Sequence, residues 1–181
     1  MPEQSKEPTW IFGYGSLMWE PGFPYVEARN ALLEGYHRSL CLYSHRYRGT
    51  EEKPGLVLGL DHGGHCHGRA FLIDNKDLAD VMAYLNDREM ITNAYAPTYL
   101  YVALEDGRTA RAYNFIVRND HSQYTGKITH EEAARLVMQG HGERGSALDY
   151  LKNTLDHLGE TGIVEADLEK IYAVAVRALE N

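Results

Sequence analysis

The chain has 181 residues, of which 44% are hydrophobic and 24% charged, and this is enough for one globular domain with a buried core. Its 18 basic and 26 acidic residues give a net charge of −8, which argues against nucleic acid or an anionic membrane as a partner. No apolar run approaches the roughly 20 residues that cross a membrane, the polar N-terminus lacks a secretory signal, and 2 cysteines make no disulfide framework. We therefore expect a cytoplasmic protein with a single domain over residues 1–181, in which residues 1–9 form a flexible extension.

The first part of the chain predicts short β-strands, and two more strands follow a helix. The predicted strands cover residues 10–14, 31–44, 55–61, 65–73, 98–104 and 108–118. Strong turn signals separate several of them: Pro54-Gly55, Gly63-Gly64 and Glu105-Asp106-Gly107.

Helical periodicity lies between the strands once and then dominates the last third of the chain. After Asp74, which we predict as an N-cap, residues at helical spacing mark one apolar face: Leu78, Val81, Met82 and Leu85. Thr129 and Glu132 have the spacing of a capping box, and two apolar stripes follow: Leu148, Leu151, Leu155 and Leu158, then Leu168, Ile171, Tyr172, Ala175 and Leu179. Strands followed by helices favour an α+β fold with a largely antiparallel sheet or barrel.

Glu89 lies one turn beyond the apolar face of the first helix, at the next inward position. Desolvation and the helix macrodipole both disfavour an ionised carboxylate there, so both would raise the pKa of Glu89. A glutamate of this kind is suited to accept and return protons near neutral pH. In the alternative interpretation the helix ends at Asp87, and Glu89 points to solvent, paired with Arg88.

Residues 13–18, which we call the glycine turn, interrupt the first strand with the sequence Gly-Tyr-Gly-Ser-Leu-Met. Glycines leave backbone N–H groups uncovered, and consecutive N–H groups can hold a carboxylate or a developing oxyanion. The spacing matches neither a dinucleotide fingerprint nor a phosphate loop. The alternative is a strand with a bulge.

Other candidate groups have weaker signals. Ser16 lacks the G-x-S-x-G elbow of a hydrolase nucleophile. Arg46 and Arg48, together with Ser44, could bind a substrate carboxylate or structure their loop, and the loop role is favoured. Potential metal ligands crowd one turn and the start of one strand, but a zinc site would need a further ligand from elsewhere: His62, His65, Cys66 and His67.

Several stretches together resemble the ChaC-type γ-glutamylcyclotransferases, which act on glutathione. These stretches are FGYGSLMWEPGF (12–23), GYHRSLCLYSHRYRGTEEKPGLVLGLD (35–61), CHGRAF (66–71) and YLNDREM (84–90), with a weaker match at YTGKI (124–128). The combination of the glycine turn with the later arginine–glutamate pair is more specific than either motif alone. The resemblance covers nearly the whole chain.

The resemblance implies a mixed, largely antiparallel β-barrel flanked by helices, with no metal and no cofactor. It implies that Glu89 is the catalytic acid/base and that Tyr124 reaches the same pocket. It also implies that the glycine turn binds substrate, through Gly13, Tyr14, Gly15, Ser16, Leu17 and Met18. The implied reaction cleaves glutathione to 5-oxoproline and Cys-Gly, by attack of the substrate's α-amine on its own γ-carbonyl. We expect a monomer whose partner is this small molecule.

Two other functions stay open at this point. One is a cyclotransferase for other γ-glutamyl amines or amino acids, and the other is a noncatalytic module that holds a small anion. Residues 90–99 lack clear periodicity and are a candidate for a mobile lid.

Overall fold

The computed structural model describes residues 7–90 and 93–181, and these form two units. The first unit comprises the N-terminal segment through His37 together with Leu60–Val117, and the second comprises Arg38–Gly59 and Arg118–Asn181. Residues 1–6 of the predicted N-terminal extension lie outside the described ranges. At the end of that predicted extension, Thr9 is buried, and its carbonyl accepts a hydrogen bond from the backbone N–H of Ile73 at 3.1 Å.

The strands form a closed five-stranded barrel in the order β1–β3–β2–β4–β5. The strands are β1 (Trp10–Gly13), β2 (Glu27–Ser44), β3 (Gly55–Leu72), β4 (Tyr95–Leu104) and β5 (Thr109–Val117). Strand β5 pairs in parallel with β1 and β3, whereas the pairs β1–β3, β2–β4 and β4–β5 are antiparallel. The predicted α+β fold with a mixed, largely antiparallel barrel is therefore confirmed.

Strand β3 is continuous where the sequence predicts two strands and a turn. Gly63 and Gly64 lie inside it, with φ values of 96° and 70°. Glycine adopts these left-handed conformations without a steric penalty, so the backbone can deform locally while the strand continues. The predicted turn between strands is wrong, because composition alone does not distinguish a bend from a strand end.

Alternating side chains divide the core of the first unit into two clusters, as the period of a strand requires. Trp10 and Phe12 pack in one cluster, which also contains Leu33, Leu60, Cys66 and Ala112. Ile11 points to the other cluster, which contains Phe71, Tyr113, Phe115, Val81 and Leu85. The second cluster joins the barrel to the first helix and so holds that helix against the barrel.

Helix α1 (Leu78–Glu89) begins later than the sequence predicts. Its N-cap is Asp77, whereas the carboxylate of Asp74 accepts a hydrogen bond from the N–H of Lys76 at 3.0 Å in the preceding turn. The predicted apolar face is confirmed, since Val81 and Leu85 are buried and the other two members pack against the same cluster: Leu78 and Met82.

The segment after α1 does not form the predicted lid over its second half. Residues 91 and 92 lie outside the described ranges. From Tyr95 onward the chain belongs to β4, where Tyr95 pairs with Val117 and Pro97 with Phe115. A paired barrel strand is not a mobile lid, so that prediction is wrong for residues 95–99.

The second unit carries three helices that pack on one another: α2 (His130–Gln139), α3 (Ala147–Glu160) and α4 (Ala166–Leu179). Thr129 caps α2 as predicted, because its hydroxyl accepts a hydrogen bond from the N–H of Glu132 at 3.1 Å. A short hairpin, β6 (His141–Gly142) with β7 (Gly145–Ser146), precedes α3. Within the described residues, no helix is both long and apolar enough to cross a membrane.

Candidate functional site

The glycine turn leaves the end of β1 and continues as a short 3-10 helix, Ser16–Met18. Its hydrogen bonds use the N–H groups of Met18, Trp19 and Glu20, which donate to the carbonyls of Gly15 and Ser16 at 2.8–3.2 Å. The N–H groups of Ser16 and of the following residue are therefore outside the turn's own hydrogen bonds, as at the start of any helix. These are the backbone donors that the sequence predicts for an anion.

Gly13 is required by the turn itself. A Cβ at this position would lie 3.0 Å from the Cβ of Leu17 and 3.2 Å from the backbone N of Met18. The sequence predicts that the glycine uncovers backbone N–H groups for a ligand, whereas here the missing side chain makes room for the chain to fold back on itself. Leu17 and Met18 are 8% and 4% exposed, so we expect them to meet a substrate through backbone atoms.

Tyr14 has a different environment from the residues on either side of it. It is half-buried and packs against the cluster that contains Trp10 and Phe12. The chain thus anchors the glycine turn by an aromatic side chain on one side and by buried apolar side chains on the other, and Ser16, which is half-buried, lies between them.

Glu89 is the last residue of α1, and its side chain is 20% exposed. The helix therefore does not end at Asp87, as the alternative interpretation requires. The pairing that the alternative suggests is nevertheless present, because Arg88 Nε lies 3.6 Å from Glu89 Oε1. The structure therefore places a half-buried carboxylate at a helix C-terminus, beside a guanidinium.

Arg88 connects α1 to the glycine turn. Its Nη2 donates a hydrogen bond to Ser16 Oγ at 2.6 Å, and its Nη1 donates to the hydroxyl of Tyr84 at 3.1 Å. The same guanidinium therefore contacts the candidate acid/base and the serine of the candidate substrate loop. The two predicted halves of the site are joined by one side chain.

Two further contacts hold α1 in place beside the turn. Tyr84 packs against the chain at Gly22, which has a φ of 74° and where a Cβ would collide with the tyrosine hydroxyl. On the barrel side, the hydroxyl of Tyr113 donates to Asn86 Oδ1 at 3.1 Å, and burial raises the pKa of Tyr113. These contacts fix the position of α1, and therefore of Arg88, relative to the glycine turn and the barrel.

Tyr124 belongs to the second unit. It is half-buried, forms an isolated bridge with Leu42 in β2, and its N–H donates to the carbonyl of His121 at 3.0 Å. Its participation in substrate binding stays a prediction.

Residues 44–55, which we call the arginine loop, also lie in the second unit and are held there by hydrogen bonds of their own chain. Ser44 Oγ accepts a hydrogen bond from the N–H of Arg48 at 3.0 Å, and Arg48 Nη1 donates to the carbonyl of Ser146 at 3.2 Å. Arg46 Nε donates to the carboxylate of Glu143 at 3.1 Å. Each of the three polar residues thus makes a hydrogen bond that structures the loop, which is the role that the sequence favours.

The histidine-rich stretch alternates along β3 as predicted. His65 and His67 are exposed with their rings 5.5 Å apart, and Cys66 between them is 1% exposed. Across the part of the chain that the structure describes, no group of three or more histidine, cysteine or acidic side chains could hold a metal ion.

Arg88 is the residue that reasoning from sequence undervalued. It enters that reasoning as the partner of a solvent-facing glutamate or as half of a motif, whereas its hydrogen bond spans 72 residues to Ser16. The available signal was its place next to an inward-facing carboxylate on a helix whose other face is polar.

Comparisons with known proteins match most of the chain. A sequence model of the family described as ChaC-like protein matches residues 9–178. The glutathione-specific gamma-glutamylcyclotransferase of Escherichia coli (strain K12) is 36% identical over 172 residues, which cover 95% of this chain and 74% of that protein. Human glutathione-specific gamma-glutamylcyclotransferase 1 is 29% identical over 153 residues, or 82% of this chain and 69% of that protein.

Solved structures agree on the fold. The crystal structure of a selenomethionine-labelled γ-glutamylcyclotransferase specific to glutathione, from yeast, matches with a TM-score of 0.84 at 21% identity. The match covers 95% of this chain and 97% of that one. A second crystal structure of such a yeast enzyme matches with a TM-score of 0.82 at 22% identity.

Proposed function

Because this chain belongs to the ChaC-like family, we propose that it is a γ-glutamylcyclotransferase that cleaves glutathione to 5-oxoproline and Cys-Gly. The single observation that carries the proposal within the molecule is the bridge through Arg88. It joins a half-buried glutamate at the end of α1 to the serine of a glycine-flanked turn.

The reaction needs no nucleophile from the protein. The substrate's α-amine forms a bond to its own γ-carbonyl carbon, and the bond from that carbon to the cysteine nitrogen breaks, which closes a five-membered lactam. Holding one molecule in the attack geometry removes much of the barrier. The attacking nitrogen begins as an ammonium with three protons and ends as a lactam N–H with one, so it loses two protons. The leaving nitrogen gains one proton to become the free amine of Cys-Gly and a second to become its ammonium, so the enzyme's remaining task is proton transfer.

Glu89 is the residue that we assign to this proton transfer. A single carboxylate can take a proton from the attacking nitrogen and give it to the leaving nitrogen, since both nitrogens are bonded to the same carbon in the tetrahedral intermediate. Because the side chain is half-buried, water reaches only part of the carboxylate. The ion pair with Arg88 restricts the rotation of the side chain.

The glycine turn is the part that we assign to the negatively charged end of the substrate. The N–H groups at the start of the short 3-10 helix and the hydroxyl of Ser16 supply hydrogen-bond donors. Donors of this kind bind a carboxylate in the ground state or an oxyanion in the transition state. In either case Ser16 contacts the ligand without forming a bond to it.

The decisive experiment is an incubation of the purified protein with glutathione, assayed for 5-oxoproline and Cys-Gly in equal amounts. γ-Glutamyl-alanine is the matched comparison substrate, and we expect faster release from glutathione. Faster release from γ-glutamyl-alanine would indicate a cyclotransferase for other γ-glutamyl compounds. Intact glutathione together with a raised melting temperature would indicate a noncatalytic module. Because the groups that we assign to the reaction are a carboxylate, backbone N–H groups and a hydroxyl, we expect full activity in the presence of a chelator.

We propose further that the protein acts as a monomer in the cytoplasm and folds as a single domain. The order of segments supports one domain, because the chain passes from the first unit to the second at Arg38, returns at Leu60 and leaves again at Arg118. Neither unit is a continuous piece that could be cut away. Light scattering on the eluted protein measures the oligomeric state directly.

A further inference from the structure

We propose that Arg88 is a positioning residue that makes the hydroxyl of Ser16 a hydrogen-bond donor to the substrate. The inference rests on the proposed function and adds the direction of one hydrogen bond at that site. The serine then recognises a substrate oxygen that carries or develops negative charge.

The direction follows from the chemistry of the guanidinium. Arginine has five N–H donors and no acceptor, so in its 2.6 Å contact with Arg88 the oxygen of Ser16 must be the acceptor. The hydroxyl proton is then available for a different partner. Among the described residues no acceptor is hydrogen-bonded to this hydroxyl, although the side chain is half-buried.

The charge of Arg88 selects which part of a γ-glutamyl substrate can be that partner. The α-ammonium group is a cation with only donors, and it is disfavoured both by the occupied lone pair of Ser16 and by the adjacent guanidinium. The α-carboxylate and the γ-carbonyl oxygen are acceptors, and positive charge next to the serine strengthens a hydrogen bond to either. Ser16 is thereby assigned to the oxygens of the substrate.

The helix geometry explains why the arginine stands directly before the glutamate. Consecutive residues on an α-helix point about 100° apart, since there are about 3.6 residues per turn. Arg88 can therefore reach out to Ser16 while Glu89 continues the inward face of α1. Tyr84, four residues earlier, lies on the same side as Arg88 and receives its other hydrogen bond, at 3.1 Å. Both terminal nitrogens of the guanidinium are hydrogen-bonded, which fixes its orientation as a positioning role requires.

A double-mutant cycle tests the inference. The variants are Ser16→Ala, Arg88→Met and the two combined, and kcat and KM for glutathione are measured separately. Losing a hydrogen bond to a charged group costs about 10- to 100-fold, so we expect each single variant to lower kcat/KM by that factor. The kcat/KM of the double variant should lie within about threefold of that of the less active single variant, because Arg88 acts through the serine. A loss that appears in KM assigns the hydroxyl to the carboxylate, and a loss in kcat assigns it to the oxyanion.

Controls separate positioning from simple structural support. Arg88→Lys keeps a donor and a charge, and it should recover part of the activity that Arg88→Met loses. Arg111→Met removes another partly buried arginine of the same unit, which lies 3.8 Å over the ring of Tyr99, and should leave kcat/KM unchanged. If the two single losses multiply in the double variant, or if Arg88→Met lowers only the melting temperature, the inference is overturned.

The same cycle distinguishes a failure of the inference from a failure of the proposed function. If the wild-type protein releases no 5-oxoproline, the proposed function is wrong, and the cycle is then read from glutathione binding by calorimetry. Non-additive losses of affinity still support a donor role for Ser16, and additive losses contradict it. If the wild-type protein turns over and the losses multiply, the function stands and the inference falls.

Discussion

Two contacts between a serine and an arginine, one in each unit, use the same residue types in opposite ways. In the arginine loop, buried Ser44 accepts from the backbone N–H of Arg48, whose guanidinium is directed to the carbonyl of Ser146. In the glycine turn, half-buried Ser16 accepts from the guanidinium of Arg88 itself. The first pair closes a loop over four residues, and the second joins a turn to a helix across 72.

The two arginines differ in the groups that accept their hydrogen bonds. This difference distinguishes an arginine that stabilises the fold from one that is placed to act on a ligand. Arg48 supplies a hydrogen bond to a backbone carbonyl and stacks over the ring of Tyr150 at 5.3 Å, both of which stabilise the fold. Burial lowers the pKa of Arg48, but the group stays a cation. Arg88 instead donates to two hydroxyl groups and lies beside a carboxylate. A hydroxyl group that accepts a hydrogen bond still has its own proton to donate, so only the second arrangement leaves a donor for the proposed ligand.

The largest effect is expected from Glu89→Gln. Removing the proton acceptor while keeping the side-chain shape should lower kcat by at least about 100-fold, since general acid–base catalysis contributes about 10²- to 10⁴-fold. The melting temperature and the binding of glutathione should stay close to wild type. Asp87→Asn, an exposed carboxylate in the same helical turn, is the matched control and should keep full activity. A kcat for Glu89→Gln within tenfold of wild type would remove this residue as the acid/base.

Gly13→Ala should damage the glycine turn and the fold together. The new methyl group would lie 3.0 Å from the Cβ of Leu17 and 3.2 Å from the backbone of the same residue, and such overpacking costs about 1–3 kcal/mol. We expect a lower free energy of unfolding in urea and a higher KM for glutathione. Gly159→Ala, at a position in α3 where nothing lies within 4 Å of the new atom, is the control. Wild-type stability and KM for Gly13→Ala would show that the turn tolerates displacement.

Arg48→Met tests the other side of the comparison. Loss of the hydrogen bond to Ser146 and of the contact with Tyr150 should cost about 1–2 kcal/mol of unfolding free energy. The KM of the folded protein for glutathione should not change. A tenfold rise in KM at unchanged melting temperature would instead place Arg48 in contact with substrate, and the contrast between the two arginines would be lost.

The smallest effect is expected from Thr129→Ala, which calibrates a purely structural change in the second unit. The variant removes the N-cap hydrogen bond to Glu132, and loss of a cap costs about 1 kcal/mol. Activity per folded molecule should equal that of wild type, measured at a temperature well below the melting point. Thr129→Ser, which retains the capping hydroxyl, should keep the wild-type melting temperature.

Periodicity was sufficient to predict the α+β class and the helix that carries Glu89, because both depend on local spacing. The apolar face of α1 is confirmed at Val81 and Leu85, and the helix extends to the glutamate that lies one turn further on. The cap at Thr129 is confirmed for the same reason. Features that depend on hydrogen bonds and burial within one helix leave a pattern that can be recognised in the sequence.

The features that could not be predicted from the sequence are of two kinds. Some depend on contacts between distant residues, and others on a local sequence that is compatible with either a turn or a strand. The hydrogen bond from Arg88 to Ser16 exists only once the barrel has brought α1 beside β1. Gly63 and Gly64 have the composition of a turn, but pairing along β3 keeps them inside a strand. The segment beginning at Tyr95 lacks clear periodicity, yet its pairing with β5 makes it a strand. In each case tertiary pairing overrides the local signal.

Cys41 and Cys66 are each 1% exposed, and their burial bears on the proposed cleavage of glutathione. Glutathione occurs beside its own disulfide, which reacts with accessible cysteines by thiol–disulfide exchange. That exchange needs a thiolate that the disulfide can approach, and neither side chain can be approached without local unfolding. We therefore expect the proposed activity to follow the amount of reduced glutathione and to be unaffected by disulfide exchange at these two cysteines.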